Sequence, residues 1–200
     1  MKLQFIIMKI LFVVLSVMYI TAAQAQGIYI PGKVTKGDSA AYYCKKAMSI
    51  ILEVGNTRNV DTSYTMYYKD GREFDDENFA VPLKHSQENL LSVFKDFLTQ
   101  EEWEKLKGKN SFLLLIEITA NTSGKAEEII FKFRETDPVM MHMPPDRLYE
   151  LEKRLKKVLE LHPRAYFSQF KKIKYFDSIR YKNIAPFDKK KLMTHKNHLS

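Results

Sequence analysis

Met140-Met141-His142-Met143 is the run best equipped to do chemistry, because thioethers and an imidazole are soft ligands of the kind that hold Cu(I). Four consecutive side chains converge on one ion only from a loop built for it. Pro138 and Pro144 bracket the run as a connection, where flexible methionines fill gaps beneath a helix, so packing is the expected role. His195 and His198 have the spacing of one helical turn but no carboxylate beside them. Asp75-Asp76-Glu77 supplies hard oxygens without the D-x-D-x-D-G spacing of a calcium loop and reads as a solvated acidic turn. His85 and His162 stand at helix ends, where compensation of the helix dipole explains them. Cys44 is the only cysteine, so no intramolecular disulfide forms and a buried, structural thiol is expected. No G-x-S-x-G, P-loop or dinucleotide fingerprint occurs. These residues predict no catalytic group, no cofactor, no metal and no enzymatic activity.

A second chemistry lies in charge. Lys171, Lys172, Lys174, Arg180, Lys182, Lys189, Lys190 and Lys191 are interleaved with Tyr175, Phe176, Tyr181 and Phe187. From Lys171 onward nine Lys/Arg face two Asp, a net of +7, whereas residues 26–170 hold 21 Lys/Arg and 22 Asp/Glu, a net of −1. The formal charge of +8 therefore belongs to the C-terminal segment and not to the whole surface. In a cytoplasmic protein, cations among aromatics suggest nucleic acid. An exported protein meets lipid headgroups or lipopolysaccharide phosphates instead, so the eight basic residues are candidate contacts to an anionic surface. The plainer alternative places the aromatics in a last strand with the lysines as its solvated face.

The N-terminus argues for export. Lys2 and Lys9 form a positive n-region, Ile10 to Ile20 an apolar h-region, and Ala23-Gln24-Ala25 a signal peptidase site read at Ala23 and Ala25. The apolar run of eleven residues is well short of the ~20 needed to span a bilayer. Residues 1–25 are expected to be removed, leaving Gln26 first and no integral membrane span. The segment looks bacterial and implies the periplasm or the exterior.

The elements that must position these residues follow from periodicity. Asp38 or Ser39 is placed to cap a short helix through Ala40 to Ile51, with Ala40, Tyr43, Ala47, Ile50 and Ile51 on one face; the competing pattern is a strand over Met48 to Val54, ended by Gly55-Asn56. Thr62 to Phe74 reads as a hairpin closed by a tight I′ turn at Asp70-Gly71. Ser86 opens a helix with Leu90, Leu91, Phe94, Phe97 and Leu98 as its stripe, and Thr99 with Glu102 forms a capping box for the next. Phe112 to Asn121 is the strongest strand and should be central, since both its faces begin apolar. After a turn at Gly124, residues 128–134 return with Ile129, Phe131 and Phe133 inward and Lys132 and Arg134 outward. Pro144-Pro145-Asp146 starts the best amphipathic helix, with Leu148, Leu151, Leu155, Val158 and Leu159 in one stripe, and a final strand is expected over Ile173 to Ile179. The sum is an α+β domain over residues 26–184: a small antiparallel sheet packed on amphipathic helices, strand–strand–helix–strand in its C-terminal half. Residues 185–200 form a basic tail expected to be disordered.

The segments SFLLLIEITANTSGKAEEIIFKF and MPPDRLYELEKRLKKVLELHP resemble the C-terminal domain of TonB-type energy transducers over residues 111–184. The whole chain more closely resembles small uncharacterised secreted proteins of Bacteroides-type bacteria. That resemblance implies an exported α+β protein and assigns no catalytic residues. The expected function is non-enzymatic interaction with an unknown envelope protein; the alternative is attachment to an anionic membrane or lipopolysaccharide surface through the basic segment. Nucleic acid is not an expected partner.

Overall fold

The computed structural model describes Met8 and residues 27–60, 65–75, 81–106 and 113–180. Its strands are β1 (Val34–Lys36), β2 (Ala41–Met48), β3 (Ile51–Asn56), β4 (Met66–Tyr67), β5 (Glu73–Phe74), β6 (Leu113–Ala120), β7 (Ala126–Arg134) and β8 (Ile173–Arg180). Its helices are α1 (Gln87–Phe97), α2 (Gln100–Leu106) and α3 (Pro145–Val158), with short 3₁₀ turns at Met140–His142 and Ala165–Gln169. Six strands make one antiparallel sheet in the order β1-β2-β3-β7-β6-β8, and β4 and β5 form a separate hairpin. The fold is α+β, as the element pattern predicts.

β6 lies inside the sheet, though one strand in from the β8 edge and not at its centre: it pairs with β7 through the hairpin and with β8 across the return from α3. Opposed residues in an antiparallel pair share a face, so register sorts the side chains. Tyr42, Cys44, Val54, Phe131, Ile116 and Ile118 fall on one side, all 0 % exposed, and Leu148, Leu151 and Leu155 of α3 close over that side as the apolar stripe predicts. α3 packs on β7 and β2, and α1 packs on α3. Burial of the Cys44 thiol pushes its pKa up to about 11, which keeps it protonated and inert, in line with its expected structural role. The methionine run also packs as expected: Met140, Met141 and Met143 are buried.

The helix starts predicted at Ser86 and Thr99 have their caps. The Ser86 hydroxyl accepts from Asn89 N–H at 3.2 Å. Glu102 carboxylate accepts from Thr99 N–H at 2.8 Å while Thr99 Oγ1 accepts from Glu102 N–H at 3.3 Å, a complete capping box.

Three expectations are corrected. Residues 40–51 are not a helix: β2 and β3 occupy Ala41–Asn56 as a hairpin, and Tyr42 and Cys44 alternate inward. Asp38 and Ser39 cap nothing there; their amides donate to the Asp146 carboxylate of α3 at 2.9 and 2.6 Å. The competing strand pattern holds in its later part: β3 runs over Ile51–Asn56, and Gly55-Asn56 are its last two residues. The third correction concerns the turn at Asp70-Gly71. Tyr68 N–H reaches Arg72 O at 2.9 Å and Gly71 N–H reaches Tyr68 O at 3.0 Å, which makes a three-residue loop with Gly71 at φ 92°. The same construction recurs at Asn121–Lys125, with Gly124 at φ 86°.

These two glycines differ in surroundings. A Cβ on Gly71 would meet nothing within 4 Å, whereas one on Gly124 would lie 2.6 Å from the Leu161 carbonyl oxygen. Leu161 N–H donates to Gly124 O at 2.9 Å, so the hairpin tip and the chain leaving α3 cross in direct backbone contact. Gly71→Ala is expected to cost about 1–2 kcal/mol, the left-handed backbone alone. Gly124→Ala should cost about 2–5 kcal/mol, because forced displacement of backbone adds to it. Urea unfolding of the two variants checks the order, and equal losses would contradict it.

Candidate interaction face

The helix-covered side of the sheet holds two buried polar clusters with partners in place, though the buried Tyr175 hydroxyl finds no hydrogen-bond partner among the described residues. Glu152, on the buried stripe of α3, accepts from Tyr42 Oη at 2.6 Å, from Asn56 Nδ2 at 3.2 Å and from Lys156 Nζ at 2.5 Å. Its partners come from two adjacent strands and from its own helix, so both carboxylate oxygens are engaged in holding the fold together. His85 and Asp177 form a second buried pair, with Nε2 at 2.7 Å from Oδ2, while Nδ1 faces the Glu160 carbonyl at 3.2 Å. Both ring nitrogens face acceptors, an arrangement that favours the doubly protonated ring. The hydrogen bond to Asp177 raises the His85 pKa first and the Glu160 carbonyl adds to it, against the desolvation that opposes charge. The pair ties the segment before α1 to β8. His85 is thus a link across the core and more than a dipole compensator at a helix end.

The opposite side carries the polar and aromatic residues of alternate positions. Register lines them up in two rows across the strands. One is a charge row of Lys45, Glu53 and Lys132, joined diagonally by Glu117: Lys45 Nζ lies 2.6 Å from Glu53, whose other oxygen is 3.5 Å from Lys132 Nζ, which in turn is 2.7 Å from Glu117. Lys132 also sits 4.9 Å from the centre of the Phe176 ring. Lys132 is therefore not the solvated outward residue that alternation predicts: it is buried among two carboxylates and an aromatic ring.

The second row is Val34–Tyr43–Gly55–Ile130, each residue directly opposite the next. Val34 and Tyr43 are each 45 % exposed and Ile130 is buried. Gly55 leaves a gap, and a hollow of about 400 Å³ opens there, bounded by these residues with Lys45, Glu53, Thr57 and Asn59 at its rim. Local sequence patterns miss this row because four residues from four strands become neighbours only through register. The available signal is Gly55 itself: glycine inside a strand marks a bulge or a place where something approaches the backbone.

Among the described residues, Lys171, Lys172 and Lys174 do not gather into one surface. Lys171 is exposed, with Nζ 6.0 Å from the centre of the Tyr67 ring. Lys172 pairs with Glu127, Lys174 is buried, and Arg180 ends β8. Lys182, Lys189, Lys190 and Lys191 lie outside the described residues, as do Ala23, Ala25, Asp76, Glu77, His195 and His198. Among the described residues no group of three or more His, Cys, Asp or Glu could hold a metal ion, and no helix is long and apolar enough to cross a membrane.

The chain shares its fold with the crystal structure of a DUF5043 family protein from Bacteroides uniformis ATCC 8492. The TM-score is 0.64 at 19 % identity, covering 82 % of this chain and 93 % of that one. No family model matches the chain, and no curated protein matches it. The match agrees with the resemblance to uncharacterised Bacteroides-type proteins and does not bear on the TonB-type pattern.

The His85–Asp177 pair has a pH signature. With the folded pKa above the ordinary value near 6.5, its contribution is complete below pH ~6.5 and is lost as pH rises through the folded pKa. Urea unfolding should show wild-type stability declining above that point, with the decline absent in His85→Gln. Asp177→Ala should cost about 3–5 kcal/mol at pH 6, since it strands a buried imidazolium. A flat pH profile in the wild type would refute the assignment.

Proposed function

We propose that this chain is an exported, non-enzymatic envelope protein that binds a protein partner through the side of its sheet turned away from α3. What supports this most is the asymmetry of the sheet. One side is sealed by α3, with its buried carboxylates and histidine fully engaged. The other keeps Val34, Tyr43 and Phe176 exposed beside a hollow, and Phe176 is 54 % exposed on the edge strand β8. Large apolar groups left in solvent around a concavity are the usual mark of an interaction surface. Among the described residues β8 pairs only with β6, so a partner strand added along its free side is a fitting mode of contact.

Export rests on the leader: a positive n-region, an eleven-residue apolar run and Ala23-Gln24-Ala25. A second reading, attachment to an anionic membrane or lipopolysaccharide, draws on the nine Lys/Arg against two Asp from Lys171 onward. Engagement of Lys172 by Glu127 and burial of Lys174 leave that reading to Lys171 and to basic residues after β8.

Fractionation of cells producing the tagged full chain should recover it from the periplasm or the medium, with a mass that begins at Gln26. A photo-crosslinking residue replacing Phe176 should yield one discrete adduct, absent when the same residue replaces exposed Lys153 on α3. Recovery from the cytosol with residues 1–25 attached would overturn export. Equal labelling at the two positions would overturn the sheet face, and salt-sensitive pelleting with phosphatidylglycerol vesicles in place of an adduct would favour the second reading.

A further inference from the structure

We propose that the hollow over Gly55 is a recognition pocket for a bulky apolar side chain with a carboxylate beside it, as presented by a partner peptide. The proposal rests on the partner-binding reading of this face and gives it a ligand chemistry.

Glycine at position 55 has no conformational reason. Gly55 is not among the glycines with positive φ, which are Gly32, Gly71 and Gly124. It has no steric reason either. A Cβ there would lie 3.5 Å from Ile130 Cγ1 and 3.7 Å from Asn59 Nδ2, ordinary contact distances. Tyr43, directly opposite in β2, brings no atom closer to that Cβ than Ile130 Cγ2 at 4.0 Å. A glycine between two paired strands weakens them, since it has no side chain to pack and more freedom to lose. Its effect is to leave the hollow empty, with the Tyr43 ring as one wall, Ile130 as the other and Val34 beyond.

The walls select the ligand. Val34, Tyr43 and Ile130 present carbon, which matches an aromatic or branched aliphatic group and not a sugar, whose hydroxyls need several polar partners. The rim carries charge of one accessible sign. Lys45 and Glu53 are paired at 2.6 Å, but the Lys45 side chain is 37 % exposed and that of Glu53 only 4 %. A ligand entering over Gly55 therefore meets the cation, and a carboxylate next to its apolar group extends the existing row of alternating charges.

N-acetylphenylalanine is the minimal probe, with amide proton–nitrogen NMR spectra of the purified chain from Gln26 to Ser200 as the readout. Its addition should shift the amides of Gly55, Ile130 and Val34 in a saturable way. N-acetylphenylalanine amide, which lacks the carboxylate, should bind roughly two- to five-fold more weakly, as loss of one partly exposed ion pair predicts. N-acetylglycine and N-acetylglucosamine should leave these amides unmoved. Gly55→Val, which fills the hollow, should abolish the shifts while the rest of the spectrum is kept. Tyr43→Ser, which removes a wall and leaves the strands' glycine untouched, should weaken them, so a misfolded first variant does not end the test. Shifts confined to other surfaces, no shifts at all, or a stronger response to N-acetylglucosamine would each overturn the pocket. The measurement needs neither export nor a native partner, so failure of the leader or of the Phe176 adduct leaves its outcome untouched.

Discussion

Glu152 locks the helix to the sheet. A carboxylate that is 1 % exposed needs donors in place of water, and here the donors are Tyr42 from β2, Asn56 from β3 and Lys156 one turn along α3. The leucines of α3 supply most of the burial, but a greasy stripe tolerates sliding and rotation. Hydrogen bonds to two neighbouring strands do not. The constraint also joins the two halves of the chain, because α3 follows β7 while Tyr42 and Asn56 belong to the first hairpin. Asp146 acts in the same direction at the start of α3, where it gathers the amides of Asp38 and Ser39.

The two sides of the sheet meet the same problem, burying polar groups, in different ways. Beneath the helices Glu152 and Asp177 have their own dedicated partners: Glu152 a hydroxyl, an amide and an ammonium, Asp177 the His85 ring. On the other side a single row alternates in sign from Lys45 through Glu53 and Lys132 to Glu117, so that Glu53 and Lys132 each serve two neighbours. A shared row is stiff, because moving one member weakens two pairs. It gives the hollow at Gly55 a fixed rim.

Much of the C-terminal half was legible in the sequence because each element there carries its own local signal. β6 and β7 alternate cleanly, Gly124 marks their turn, the stripe of α3 recurs at three and four residues, and Pro144-Pro145 marks its start. The first hairpin lacked such signals. Its turn is at Ser49-Ile50, residues without special turn chemistry, and the register shift between Lys46 and Met48 breaks the alternation that would have betrayed β2. Ala40, Tyr43, Ala47 and Ile51 then fitted a helical period by coincidence. The candidate site was hidden for a deeper reason. Val34, Tyr43, Gly55 and Ile130 are neighbours only through three strand pairings, and pairing is not written in local sequence. The basic residues, by contrast, were conspicuous as a charge run, and the fold disperses those that it describes.

The sheet order has a consequence in time. β1, β2 and β3 form one meander of near neighbours, and β6 with β7 forms another hairpin, so each can assemble from contacts close in sequence. The seam between them pairs residues 51–55 with residues 130–134 and can close only after a long stretch of intervening chain has been drawn in. That seam carries a larger loop-closure cost than the pairings within either hairpin. Glu152, reaching from the late helix to both strands of the early hairpin, acts as its latch.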